Sequence, residues 1–151
     1  MPIPSFQSSR PPLLVAWLGY GGLIPFIALA VGLQVSPDWA DRFGLWLLGY
    51  GAVILSFVGA LHWGFAMMIE ELALARRQRA YAWSVIPSLV GFAAIILGPG
   101  LGFSLLVVGF ALAYWQDIDL ANHTPVPPWY PRLRARLSAV ACLSLITAVL
   151  L

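Results

Sequence analysis

The sequence predicts an all-α membrane protein: a polytopic bundle of five transmembrane helices, N-terminus cytoplasmic and C-terminus outside. Three observations predict it. Of 151 residues, 61% are hydrophobic and only 9% are charged, against about 25% charged in an ordinary soluble domain. The charges are segregated, so that several stretches longer than the roughly twenty residues needed to cross a bilayer carry none. Glycine and proline clusters divide the apolar part into segments of suitable length.

Residues 1–12, MPIPSFQSSRPP, read as a polar cytoplasmic segment. Residues 13–151 read as a single transmembrane domain. Span 1 is expected at 13–34. Its apolar run is longer than the roughly 7–15 residues of a signal-peptide core, so it reads as a retained helix although Ala28-Leu29-Ala30 resembles a cleavage site. Pro25 has no N–H to offer the Gly21 carbonyl, which leaves an acceptor near Tyr20. Span 2 is expected at 43–69 and span 3 at 81–97. LGPGLG (97–102) breaks span 3 from span 4 (102–116) as a tight hairpin. Residues 117–131, DIDLANHTPVPPWYP, read as a proline-rich connector without helical period, and span 5 as 133–151.

The arginines set the orientation. The chain has eight of them and no lysine. Arg10, Arg76, Arg77, Arg79, Arg132, Arg134 and Arg136 fall on one side of a five-span topology, and Arg42 falls on the other. Such a bias marks the cytoplasmic side. The basic pI is therefore a signature of topology rather than of nucleic-acid binding. Spans use most of the chain, which leaves no room for a soluble catalytic or nucleic-acid-binding domain. The one cysteine, Cys142, excludes an intrachain disulfide.

Span 2 carries the most information. Ala52, Ser56, Ala60 and Gly64 recur every four residues, the small-residue spacing that lets helices approach closely, either within the chain or in a homodimer. Within GALHWG, His62 and Trp63 stand where lipid is expected. At about 1.5 Å per residue, His62 lies roughly 10 Å from the cytoplasmic end of its helix. Tyr20, Ser88 and Cys142 or Ser144 are expected at similar depth, which suggests one polar layer. His62 can pin helices through a hydrogen bond to Tyr20 or to a carbonyl. It can also serve a ligand, with imidazole and aromatic residues offering stacking and a proton. Bis-histidine haem ligation would need a second histidine, either His123 in the expected connector or His62 of a second copy in a symmetric dimer. No acidic or basic residue falls well inside any expected span, which weakens pump and transporter readings. No nucleophile and base share a recognisable spacing, which weakens a hydrolase reading, so no catalytic residue is named. Asp117, Asp119, Asn122 and His123 match no metal-binding spacing and read as a solvated loop. LGYG at 18–21 recurs at 48–51, but the echo does not extend into spans 3–5.

LGYGGLIPF, then LLGYGAVILSFVGALHWG, then PPWYPRLRARLS before the last helix together resemble the family called domain of unknown function 3429. The resemblance covers nearly the whole chain. It implies a small multi-span protein of the bacterial inner membrane, or of mitochondria in eukaryotes, and supplies no activity. The leading functional reading is a non-catalytic module that binds membrane lipid or a membrane-protein partner and assists a larger complex. The alternative is a redox or lipid-metabolism component holding a quinone or haem at His62 and Tyr20. The sequence leaves the cofactor unknown.

Overall fold

The computed structural model describes residues 9–70 and 72–150. The first eight residues of the expected N-terminal segment, Glu71, and Leu151 at the end of expected span 5 lie outside the described residues. Every regular element among the described residues is helical.

Expected span 1 is two helices, α1 (Leu13–Gly21) and α2 (Ile24–Val35). At the break, the Gly22 N–H bonds the Leu18 carbonyl and the Leu23 N–H bonds the Tyr20 carbonyl. Pro25 enters the first turn of α2, where its missing N–H costs no helical bond. The Gly22 carbonyl at this break accepts a 2.8 Å bond from the Tyr50 hydroxyl. It is the second LGYG tyrosine, not Tyr20, that turns to the broken backbone.

A short turn, Pro37–Trp39, leads into α3 (Ala40–Met68). Helix α4 (Leu74–His123) reverses at Gly98, whose φ of 77° suits a residue without Cβ. Pro99 follows and restarts the helix. The two arms, 74–97 and 99–123, pack antiparallel. A Cβ on Gly102 would strike the Ala94 carbonyl, a Cβ on Gly109 would lie 3.0 Å from Val90, and Arg76 meets Asp119 at 3.4 Å. Helix α5 (Trp129–Val149) closes the bundle.

The expected connector at 117–131 is corrected: α4 continues through Asp117 to His123, and α5 begins at Trp129, so only 124–128 is non-helical. The reason lies in spacing. Phe110, Ala113, Asp117 and Leu120 fall on one face at three- and four-residue steps, and all are buried. Packing of that face carries the helix past the polar residues.

Segments that follow one another in the chain alternate in direction, whereas α3 and the second arm of α4 run parallel: Gly44 lies by Pro99, Leu55 by Gly109 and His62 by Asp117. Gly32 lies against Phe43, Gly59 against Pro87, Gly51 against Leu106, and Gly19 against Leu137. Helix α3 and the second arm of α4 run side by side at the centre. The core is apolar and holds Phe26, Leu47, Leu48, Leu55, Leu106, Phe110 and Leu145, all nearly inaccessible. Many large apolar side chains face outward, among them Trp17, Leu18, Phe57, Phe92 and Trp115. Three helical stretches are long and apolar enough to cross a membrane: Leu13–Val35, Pro37–Met68 and Leu74–His123.

Candidate functional site

One end of the bundle gathers the end of α3, the start of α4, the 124–128 connector and the start of α1. About two turns below it lies a polar cluster built from three helices. Asp117 of α4 is fully inaccessible. Its Oδ2 accepts a 2.7 Å bond from Nε of Arg134, and its Oδ1 accepts a 2.9 Å bond from the Tyr130 hydroxyl, both on α5. His62 of α3 brings Nε2 to 3.7 Å from the same Oδ1, too long for a hydrogen bond. Phe65, one turn on from His62, sets its ring edge-on to both His62 and Tyr130.

The arrangement follows from helix registers. Tyr130, Arg134, Ser138, Ala141 and Leu145 form the buried face of α5 at helical spacing. That face meets the Asp117 face of α4. The arginine and carboxylate cancel each other's charge, and the tyrosine fills a further lone pair. An isolated ionised group here would cost far more than a paired one. Asp117 stands just outside expected span 4 and Arg134 at the start of expected span 5, but the longer helices α4 and α5 carry both into helical, buried positions. Arg134 is accordingly not a free surface charge of the arginine-rich end.

The structure separates most of the expected polar layer. Tyr20 is 41% exposed, and its hydroxyl accepts a 3.2 Å bond from Arg136 rather than meeting His62. Trp63 is half exposed and packs edge-on against Tyr81. Ser88 is half-buried and makes no hydrogen bond to the cluster; one turn earlier, the buried Ser84 hydroxyl bonds the Tyr81 carbonyl. Cys142 lies deeper, with Sγ 3.9 Å from the Val107 carbonyl. In the small-residue series, Ala52 packs against Gly91 and Ser56 bonds the Ala52 carbonyl, while Ala60 and Gly64 face outward. Close approach instead uses Gly59, against Pro87.

Sequence reasoning missed Asp117, Tyr130 and Arg134 as a site. The signal was available in part: Asp117 continues the spacing of Phe110 and Ala113.

Neither ring nitrogen of His62 has a hydrogen-bond partner of good geometry among the described residues, although the Val58 and Gln116 backbones lie near enough to interact with the ring. His62 and His123 both line a cavity of about 30 Å³ together with Arg76, Arg79 and Trp83. That is the volume of about one water, so a porphyrin does not fit between the two histidines. His123 instead lies on the surface, with Nδ1 2.7 Å from the Asp119 carbonyl. Among the described residues no group of three or more His, Cys, Asp or Glu is placed to hold a metal ion. Since the buried ring meets only the Val58 and Gln116 backbones and, at 3.7 Å, Asp117, and a poorly satisfied buried polar group costs about 1–3 kcal/mol, His62→Leu is expected to change stability by less than about 2 kcal/mol. A loss of more than about 2 kcal/mol would show that the imidazole is held by a bond.

Two larger spaces flank the cluster. An apolar groove of about 710 Å³ runs along the outward face of α3, between Ala60, Gly64, Met68 and Pro125–Pro127. Arg77 fixes the turn at its rim by donating to the Ile69 and Glu70 carbonyls at 2.9 and 3.0 Å. A cleft of about 110 Å³ lies on the other side of the bundle, with Arg134 and Ser138 in its wall.

Comparison with known proteins accords with these features. A frog (Xenopus tropicalis) transmembrane protein 69 is 31% identical over 139 residues, covering 89% of this chain and 53% of its own length. The mouse (Mus musculus) transmembrane protein 69 is 28% identical over 148 residues, covering 96% and 58%. The chain thus spans a little over half the length of these curated relatives. No solved structure matches. The relatives' name and the long apolar helices make this a multi-pass membrane protein. Residues 11–150 match the family model described as protein of unknown function (DUF3429), and the chain belongs to that family.

Proposed function

We propose that this protein is a non-catalytic membrane module that binds a membrane lipid along the outward face of α3, crossing the bacterial inner membrane five times with its N-terminus in the cytoplasm. The observation that carries the lipid reading is the lateral groove. Its volume of about 710 Å³ lies within the usual range of roughly 300–1,000 Å³ for ligand sites. Its lining is apolar except for Glu70 at the rim, and small residues at Ala60 and Gly64 hollow it out. Arg76, Arg77 and Arg79 lie at the same end of the bundle, and each basic residue near a membrane surface attracts anionic lipid by about 1 kcal/mol. An acyl chain in the groove with its headgroup toward these arginines satisfies both features.

The five-span count is supported by the arms of α4, which at about 1.5 Å per residue are each roughly 36 Å long, enough for a hydrocarbon core of about 30 Å. Alternating segment direction and the arginines gathered at the connector end support the orientation. The quinone or haem reading at His62 and Tyr20 loses support, because Tyr20 bonds Arg136 instead.

Filling the groove tests the proposal. Protein extracted in mild detergent is expected to retain lipid adducts in its native mass spectrum, and Ala60→Leu/Gly64→Leu to lose them while keeping its helicity. Unchanged adducts in the double variant would overturn the lipid reading. So would unchanged lipid with loss of a dimer or of a co-purifying membrane protein, since the groove would then seat a helix.

A further inference from the structure

The lateral groove has one polar end. From Ala60 to Met68 its α3 wall rises roughly 12 Å at about 1.5 Å per residue, and the lining residues there are small or apolar. Glu70 follows at the rim and is the charged residue of the lining. It is exposed, so its carboxylate is within reach of a headgroup. The ion pairs among the described residues use Asp117 and Asp119 and leave Glu70 without a cation. Arg77 stands at the same rim, where its Nη2 donates to the Ile69 and Glu70 carbonyls at 2.9 and 3.0 Å. One guanidinium and one carboxylate therefore share the mouth of the groove without bridging each other. The rim is also the C-terminal end of α3, where the last helical carbonyls carry partial negative charge and favour a cation.

The charges restrict the headgroup. A phospholipid whose tail lies between Ala60 and Met68 brings its phosphate to this rim. The arginine-rich end attracts that phosphate. Glu70 repels it, since like charges at the low-dielectric edge of a membrane interact more strongly than in water. A headgroup with no charge beyond its phosphate thus satisfies the arginine and opposes the carboxylate. One that carries a cation a few atoms past the phosphate satisfies both. The kind of cation matters as well. A primary ammonium has several N–H donors for a carboxylate, whereas a quaternary ammonium has none. Hydrogen-bonded ion pairs are the shorter and stronger ones.

We propose that Glu70 makes the groove selective for phospholipids with a primary ammonium headgroup, so that it takes phosphatidylethanolamine in preference to phosphatidylcholine or phosphatidylglycerol. The inference rests on the lipid reading of the groove and names the lipid class. The full chain in mild detergent is mixed with equal amounts of the three lipids, all with oleoyl tails, and the adducts are compared by native mass spectrometry. Wild type is expected to carry phosphatidylethanolamine about threefold over phosphatidylcholine, the effect of one exposed ion pair. Glu70→Gln, an exposed and nearly isosteric change, is expected to lose that preference while still binding lipid. Glu70→Lys is expected to turn the preference toward phosphatidylglycerol. If Ala60→Leu/Gly64→Leu keeps the wild-type adducts, the groove reading fails and the selectivity falls with it. If the double variant loses the adducts but wild type binds the three lipids equally, or Glu70→Gln keeps the preference, the groove holds lipid without selecting headgroups and the selectivity alone is overturned. A wild-type preference for phosphatidylglycerol would overturn it too, because the arginines would then govern the rim.

Discussion

Replacing Asp117 by leucine is expected to destabilise the bundle by about 3–5 kcal/mol, because it strands a buried guanidinium. Total stabilities of roughly 5–15 kcal/mol are usual, so a loss of this size decides whether the protein is recovered folded. Among the described residues Asp117 is the only carboxylate paired with Arg134, through the bond at Nε. Arg134→Met should be as damaging, because it leaves the carboxylate with the Tyr130 hydroxyl alone. The double variant Asp117→Leu/Arg134→Met is the informative one. Removing both charges together deletes the desolvation cost along with the attraction, and such replacements are often neutral or stabilising. Its Tm should therefore recover most of what either single change loses. A double variant no better than the singles would show that the cluster acts through shape and packing rather than through charge.

The second large effect concerns backbone contact. Gly59→Ala would set its Cβ 2.7–2.9 Å from the Pro87 ring and the Ser84 carbonyl. A proline ring and a helix backbone cannot swing aside, so α3 and the first arm of α4 must part. Gly102→Ala meets the Ala94 carbonyl in the same way and would pry the α4 arms apart at their turn. Overpacking of this kind costs about 1–3 kcal/mol, occasionally more. Gly49, also on α3, has nothing within 4 Å of its Cβ position. There, Gly49→Ala is expected to stabilise by roughly 0.5–1 kcal/mol through helix propensity. Opposite signs ten residues apart on one helix, read as shifts in Tm, would verify the packing. Destabilisation at all three sites would contradict it.

Composition and the uncharged runs made the helical class legible, and LGPGLG marked the reversal, with Gly98 supplying the left-handed residue. What composition could not show was pairing. Asp117 and Arg134 lie 17 residues apart on different helices, and no local period links them. Polarity in DIDLANH suggested a loop, whereas burial of one face kept the helix going. His62 drew attention because a lone histidine stands out among apolar neighbours. Yet the atoms that hold the cluster together belong to Asp117, Tyr130 and Arg134. Likewise, small residues at four-residue spacing identified a face of α3, but not which part of it packs. Gly59 touches Pro87, and Gly64 opens onto the groove.

The split of the ion pair between α4 and α5 also bears on biosynthesis. Asp117 leaves the ribosome 17 residues before Arg134, about one to three seconds earlier at roughly 5–20 residues per second. An aspartate at the centre of a membrane helix adds about 2.5–3.5 kcal/mol to insertion, an upper bound for Asp117, which lies six residues from the end of α4. During that interval the second arm of α4 carries this penalty with no cation beside it. If the arm spans the bilayer as proposed, a chain interrupted in the 124–128 connector lacks the cation that pairs with Asp117 and is expected to be less stable and more readily degraded than the full chain.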